Sequence, residues 1–177
     1  MAMLINLALM QVSWFACVLG AANDLPWAGV LVTLAVVAWH LLRTTQPRKE
    51  TMVLLGALVV GIALDSALAS SGLMTFASGT VVTGLTTPWM LSLWLGFATT
   101  LNASLRWLMT RPLFAVLFGA AGGPLAYWSG AKLGAIALNG AALGLLCIGL
   151  GWASAMGFFV LLTKRIGHAP STRKASA

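Results

Sequence analysis

Asp65 is the residue of this sequence whose type and position most directly predict chemistry. It is an acid inside a long apolar segment, about two turns before that segment ends. An ionisable group placed in hydrocarbon costs about 2.5–3.5 kcal/mol on insertion scales, so its side chain is expected to face other helices. There it either takes part in binding or proton chemistry, or holds the helices together through hydrogen bonds. Lys132 is its nearest candidate partner, because a long lysine stem reaches into the interface; the alternative is a solvated loop lysine.

Several other polar side chains fall within or near apolar segments. His40 is either a proton carrier or a hydrogen-bonding residue at the interface. Side-chain amides in membrane helices commonly bond across helices, so each one alone is explained by packing. As a set that extends from one leaflet to the other, they also suit a polar cavity. The candidate ligand-binding residues are therefore Asp65, Lys132, Asn102, Gln11, His40 and Asn6.

Motifs for the better-known membrane chemistries are missing from the sequence. It contains no phosphate-binding glycine loop, no CxxC pair, no HExxH and no repeated acidic motif, which argues against an ATP-driven pump or a zinc protease. We predict no metal and no cofactor. Cys17 and Cys147 both lie in apolar segments and are expected to pack there. Catalytic residues are not identified, and an enzymatic role stays open.

Composition indicates a protein of the membrane. Apolar residues make up 60% of the 177 and charged residues only 7%, against about 25% charged in soluble domains. The apolar residues form runs of about twenty, the length that crosses ~30 Å of hydrocarbon. The net charge of +7 would raise nucleic-acid binding in a soluble protein. Here the charges stand at segment ends, where they act as topology signals, so we predict no nucleic-acid partner.

The hydropathy pattern predicts an all-α bundle of about six transmembrane helices. Residues 1–163 form a single domain, and 164–177 form a basic tail that is expected to be disordered. The uncharged loop 72–87 is either a short hairpin or a flap at the interface. The predicted spans are 3–22, 26–42, 51–71, 88–107, 112–128 and 135–163.

Charge predicts the orientation of these spans. Nine of the ten basic residues fall on one side and Lys132 alone falls on the other, so the positive-inside rule predicts that both chain ends are cytoplasmic. Tryptophans at the span ends are expected to form interfacial belts. Trp27, Trp89 and Trp128 would lie at outer ends, and Trp39 and Trp107 at inner ends.

Glycines are concentrated toward the end of the chain. The run 122–130, GGPLAYWSG, is either a helix break beside a cavity or re-entrant turn, or the outer turn of an ordinary helix hairpin. Small residues four apart let helix backbones approach closely, so the fifth and sixth spans are expected to pack tightly. The pairs are Gly119/Gly123, Gly130/Gly134 and Gly140/Gly144.

Parts of the sequence resemble a family of bacterial inner-membrane proteins known as domain of unknown function 2878. The resemblance rests on residues 6–11, on 14–22 (WFACVLGAA) and on the run 122–130 with its continuation to Ala135. It covers the chain up to the tail and implies a small multi-pass protein of Gram-negative bacteria. It also implies genes that neighbour those for modifying membrane fatty acids. The family supplies no catalytic residues to transfer.

The leading functional hypothesis is an accessory protein of the bacterial inner membrane that binds or positions lipid or an apolar small molecule. Its expected partners are membrane lipid and neighbouring lipid-modifying enzymes. The oligomeric state stays open. Two alternatives remain: a small transporter or flippase that uses the polar groups as a pathway, and an intramembrane lipid-modifying enzyme with Asp65 as acid or base.

Overall fold

The computed structural model describes residues 2–168, apart from the side chains of the two end residues. Seven helices and two short strands make up this part of the chain. Proline stands at the first turn of α2, α3, α4 and α6, where its missing N–H leaves no helical bond unmade. The elements are α1 (Ala2–Ala22), α2 (Pro26–Arg43), α3 (Pro47–Ser70), β1 (Met74–Phe76), α4 (Pro88–Leu101), α5 (Arg106–Met109), α6 (Pro112–Lys132), β2 (Ile136–Leu138) and α7 (Ala141–His168).

The prediction of an all-α membrane bundle is confirmed. Among the described residues, α1, α2, α3, α6 and α7 are long and apolar enough to cross a membrane. The fourth predicted span, 88–107, is wrong in its extent. Its helix α4 has 14 residues, about 21 Å at 1.5 Å per residue. It ends because the Thr100 carbonyl accepts the backbone N–H groups of Ala103 and Leu105, and α5 follows after that turn.

Helix α4 lies at the centre of the bundle. It packs against α1, α2 and α3, and most of its residues are buried. Gly61 of α3 makes close packing against α4 possible, since a Cβ there would come within 2.5 Å of the Trp94 ring. Because α4 is covered by protein, the lipid does not dictate its length.

The two ends of the bundle differ in charge. Seven of the described cations lie at one end, which we call the basic end: Arg43, Arg48, Lys49, Arg106, Arg111, Lys164 and Arg165. Lys132 and Asp24 lie at the other, the capped end. A chain that runs through the bundle six times, in alternating directions, places these residues at opposite ends. That the basic end is cytoplasmic stays a prediction.

The strands form a cap over the end opposite the basic one. β1 pairs antiparallel with β2, with Met74 opposite Leu138 and Phe76 opposite Ile136. The first alternative for the loop 72–87, a hairpin within the loop, is therefore wrong. The partner strand of β1 comes from the α6–α7 connection. Positive φ at Gly72, Gly134 and Gly140 lets the chain turn beside these strands.

The last predicted span also differs from the structure at both ends. Residues 136–138 are a strand, so α7 begins at Ala141 rather than at 135. The helix continues to His168, so residues 164–168 belong to it and not to a disordered tail. The remainder of the predicted tail, 169–177, lies outside the described residues.

Helices α6 and α7 form the most extensive helix contact of the bundle, which confirms the predicted close packing. Gly119 and Gly123 lie directly against Trp152 of α7, where a Cβ would come within 2.5 and 2.3 Å of its atoms. In the other two pairs, Gly130/Gly134 and Gly140/Gly144, one glycine has a positive φ and lies in a turn rather than at a helix contact. α6 is continuous through Pro124, so the run 122–130 is not a re-entrant turn.

Candidate functional site: an aromatic cavity open to the side of the bundle

An apolar cavity of about 70 Å³ lies inside the capped half of the bundle. About 10–15 Å³ of such space holds one water-sized group, so the cavity has room for a few methyl-sized groups. Its walls are almost entirely aromatic and aliphatic, and apolar cavities of this kind stay free of water. The lining residues are Met10, Trp14, Val18, Trp89, Met90, Leu93, Trp94, Phe97, Ala126, Tyr127, Gly130, Ala135, Ile136 and Trp152.

Asp65 lies behind one wall of this cavity and does not line it. Its carboxyl is fully buried and accepts a hydrogen bond from the Trp94 indole at 2.7 Å and another from the Tyr127 hydroxyl. Trp94 in turn stacks on Trp152, with ring centroids 4.5 Å apart and planes 16° apart. Asp65 therefore orients two side chains that face the cavity. This placement agrees with the expectation that Asp65 faces the interior of the bundle.

A groove on the side of the bundle lies next to the cavity. It runs between α1 and α6, encloses about 550 Å³ and shares Met10, Trp14 and Ala126 with the cavity lining. The remainder of the groove consists of Gln11, Phe15, Gly122, Leu125, Trp128, Ser129, Lys132 and Leu133. The three shared residues thus stand between the groove and the cavity.

Lys132 stands at the end of the groove nearest the cap, where its ammonium lies 5.7 Å from the centre of the Trp128 ring. It is exposed, and no ion pair joins it to Asp65 among the described residues, so the structure agrees with the alternative of an exposed loop lysine. Gln11 faces the same groove and makes no hydrogen bond within residues 2–168. Of the six predicted site residues, these two are brought together.

The other predicted polar residues lie elsewhere. Asn6 bonds the Thr99 carbonyl at 3.2 Å and accepts from the Ser104 hydroxyl at 2.6 Å, which ties α1 to the end of α4. His40 bonds Glu50 at 3.1 Å. Asn102 lines a separate cleft at the basic end. The six residues therefore do not line one continuous polar cavity, because α4 and its neighbours fill the space between them.

The residues that sequence reasoning missed are the aromatic ones that fall in the middle of spans. Trp14, Trp94 and Trp152 stand far from span ends, where an interfacial belt does not account for them. Tyr127 is the single tyrosine of the chain and lies within the unusual run 122–130. The prediction that Trp89 belongs to an interfacial belt is wrong, because this residue is 1% exposed and forms part of the cavity wall.

Hydrogen bonds from the cap hold the outer wall of the cavity. The Trp89 indole donates to the Ser78 carbonyl at 3.0 Å, and the Ser78 hydroxyl donates to the Ala21 carbonyl at 2.7 Å. Ala135 and Ile136 of the α6–α7 connection close the same side. These residues therefore close the cavity toward the capped end, and the lateral groove lies on its other side, beyond Met10, Trp14 and Ala126.

Residues 3–158 match a family described as protein of unknown function (DUF2878). The chain belongs to this family. The match includes every residue that lines the aromatic cavity and the groove. The family's description assigns no activity. No curated protein and no solved structure matches the chain.

The DUF2878 match ends within α7, about ten residues before that helix does. Part of the cleft at the basic end, formed by Thr163, Lys164, Ile166 and Gly167, therefore lies beyond it. The two concave regions differ in this respect as well as in chemistry: the cavity and groove are mostly apolar, and the cleft is polar.

Proposed function

We propose that this DUF2878 protein binds a membrane lipid or a similar amphiphile, with the end of an apolar chain in the aromatic cavity. The observation that carries the proposal is that the cavity and the groove are adjacent and share Met10, Trp14 and Ala126 as lining residues. A lipid chain approaches a membrane protein from the side, and the opening between α1 and α6 lies on that side. Burial of each methylene contributes about 0.8 kcal/mol.

The polar groups of the groove suit the head of the same molecule. Gln11, Ser129 and Lys132 line the groove, and the ammonium of Lys132 is the one cation among its residues. An apolar pocket with a few convergent polar groups is the usual form of a site for a small amphiphile. A free fatty acid or an anionic lipid fits this arrangement.

The role we propose is accessory: to hold or position such a lipid in the bacterial inner membrane, in connection with the modification of membrane fatty acids. The resemblance described above supports that connection. Asp65 supports the site indirectly, by orienting Tyr127 and Trp94. It does not touch the cavity, so the geometry does not favour Asp65 as a catalytic acid or base.

Filling the cavity tests the proposal. Gly130 lines it, and a Cβ at this position would meet no atom within 4 Å, so Gly130→Leu places a side chain in the empty space. Ala121→Leu is the control, since Ala121 is exposed on the same helix and lines neither groove nor cavity. Mass spectrometry then measures the lipid that remains bound after purification in detergent.

We expect Gly130→Leu to lower bound lipid about tenfold, because displacing two methylenes removes roughly 1.6 kcal/mol. Ala121→Leu should retain the wild-type amount, and both variants should keep their unfolding temperatures. Equal lipid in the wild type and in a folded Gly130→Leu protein would contradict the proposal.

A further inference from the structure

A second concave region lies at the basic end, at the opposite end of the bundle from the cap. It encloses about 610 Å³ between the α2–α3 connection, the α4–α6 connection and the last turns of α7. Volumes of about 300–1,000 Å³ are typical of ligand pockets. Its lining residues, which we call the basic cleft, are Thr44, Thr45, Gln46, Lys49, Glu50, Asn102, Arg106, Met109, Thr110, Thr163, Lys164, Ile166 and Gly167.

Positive charge dominates the basic cleft. Lys49, Arg106 and Lys164 come from three different helices, and Glu50 is the one carboxylate among the lining residues. The sequence has only two further acids: Asp24 at the capped end and Asp65 in the interior. A concave surface of one sign focuses its field and raises the local concentration of the opposite ion.

The carboxylate of Glu50 is already engaged. It lies 3.1 Å from the His40 ring nitrogen, and both side chains are largely buried. Within residues 2–168, neither Lys49 nor Arg106 forms an ion pair. These two cations are therefore available to an anion from outside the chain.

Neutral donors add to the cations. The side-chain amides of Gln46 and Asn102 make no hydrogen bonds within the described part of the chain. Gln46 also precedes the 24-residue helix α3 and gives its first turn no side-chain cap. Glu50 stands in the first turn of α3 and offsets the partial positive charge of that helix start, so Lys49, Arg106 and the two amides are the groups that can bind an anion.

We infer that the basic cleft binds a phosphate group. The guanidinium of Arg106 offers paired N–H donors that match phosphate oxygens, and Lys49 supplies a point charge. The phosphate belongs either to the headgroup of an acidic phospholipid at this end of the bundle or to a soluble phosphate ester. This inference is independent of the aromatic cavity, which lies at the other end and has no cationic lining.

The test uses the full-length protein in a neutral detergent. Native mass spectrometry measures its affinity for phosphatidylglycerol, with phosphatidylcholine as the zwitterionic comparison. The test variant is Lys49→Gln with Arg106→Gln, and Lys49→Arg with Arg106→Lys keeps the charge. The matched control is Arg43→Gln with Arg111→Gln, which removes two charges from the same end. Those arginines lie 5.7 and 5.9 Å from the rings of Trp39 and Trp107 and do not line the cleft.

We expect the test variant to lose at least about tenfold in affinity for phosphatidylglycerol, because charge-assisted hydrogen bonds are lost. The control and the charge-keeping variant should stay close to wild type. Glycerol 3-phosphate, added to the protein without lipid, then separates the two sources: binding that the test variant loses identifies a soluble phosphate ester as a ligand, and no binding without lipid identifies the lipid headgroup. Equal losses in test and control variants, or no loss in a folded test variant, would overturn the inference.

Discussion

The hydroxyl of Tyr127 on α6 donates a hydrogen bond to Asp65 on α3, across 62 residues of sequence. Helices α3 and α6 otherwise make little contact, so this bond is a main connection between them. The other oxygen of the same carboxyl accepts the indole N–H of Trp94 on α4. One acid thus joins three helices, and two of its partners form a wall of the cavity.

Removing this acid should weaken the fold without preventing insertion. We expect Asp65→Leu to lower the free energy of unfolding by about 1–3 kcal/mol for each donor that is left buried and unpaired. Denaturant titration of the purified protein measures the change. Ser129→Ala is the control, because that hydroxyl bonds the Leu125 carbonyl of its own helix. A folded Asp65→Leu protein with wild-type stability and wild-type bound lipid would show that Asp65 only fills space.

The contact between α6 and α7 predicts a strong response to a larger residue at Gly123. A Cβ there would lie 2.3 Å from the Trp152 ring, so Gly123→Val should cost about 1–3 kcal/mol through overpacking. Gly130→Ala, at a helical position with open space around the Cβ, should keep or slightly raise the unfolding temperature. Equal stability of the two variants would contradict the packing described for these helices.

Lys132 and Asn102 should differ in their effect on fatty-acid binding. Sequence reasoning grouped them, but Lys132 lines the groove and Asn102 the basic cleft. We expect Lys132→Gln to weaken oleate binding about fivefold, since an exposed charge pair contributes up to about 1 kcal/mol. Asn102→Ala should leave the oleate affinity unchanged. Titration with a fluorescent oleate analogue measures both, and a loss confined to Asn102→Ala would contradict the proposed site.

His40 and Glu50 connect α2 to the start of α3. His40→Ala leaves the Glu50 carboxylate largely buried without this partner, so we expect a loss of about 1–3 kcal/mol in the free energy of unfolding. The double variant with Glu50→Gln should recover part of that loss, because no charge then stays buried. A double-mutant cycle measures the coupling, and strictly additive losses would show that the pair contributes nothing.

The charge difference between the bundle ends predicts the topology. Alkaline phosphatase fused at Thr80 or at Gly140, both in the capped end, should be active. A fluorescent protein fused after the last residue should fluoresce in the cytoplasm. Phosphatase activity from a fusion at Arg48 would reverse the assignment.

Much of the architecture followed from the sequence. Hydropathy located five helices long enough to cross a membrane, and the predicted starts at residues 26, 88 and 112 agree with the starts of α2, α4 and α6. The charge pattern correctly grouped seven of the eight described basic residues at one end of the bundle and Lys132 at the other. Each of these properties depends on the transfer of one segment between water and hydrocarbon, so the residues of that segment alone determine it.

The sites depended on neighbours that are distant in sequence. The hydropathy pattern overestimated the length of α4. A helix that is surrounded by protein does not need to cross the full membrane, and hydropathy alone cannot show that a helix is surrounded. A hairpin within 72–87 was one of two alternatives, but the partner of its strand lies 60–64 residues further along the chain. Sequence predicted that Asp65 faces inward, yet its bonds to Trp94 and Tyr127 exist only because α3, α4 and α6 meet there. The same packing separated the predicted polar site residues from one another. It also placed the mid-span tryptophans, Trp14, Trp94 and Trp152, around the aromatic cavity. Contacts between helices are pairwise properties, and only the tertiary structure decides which pairs form.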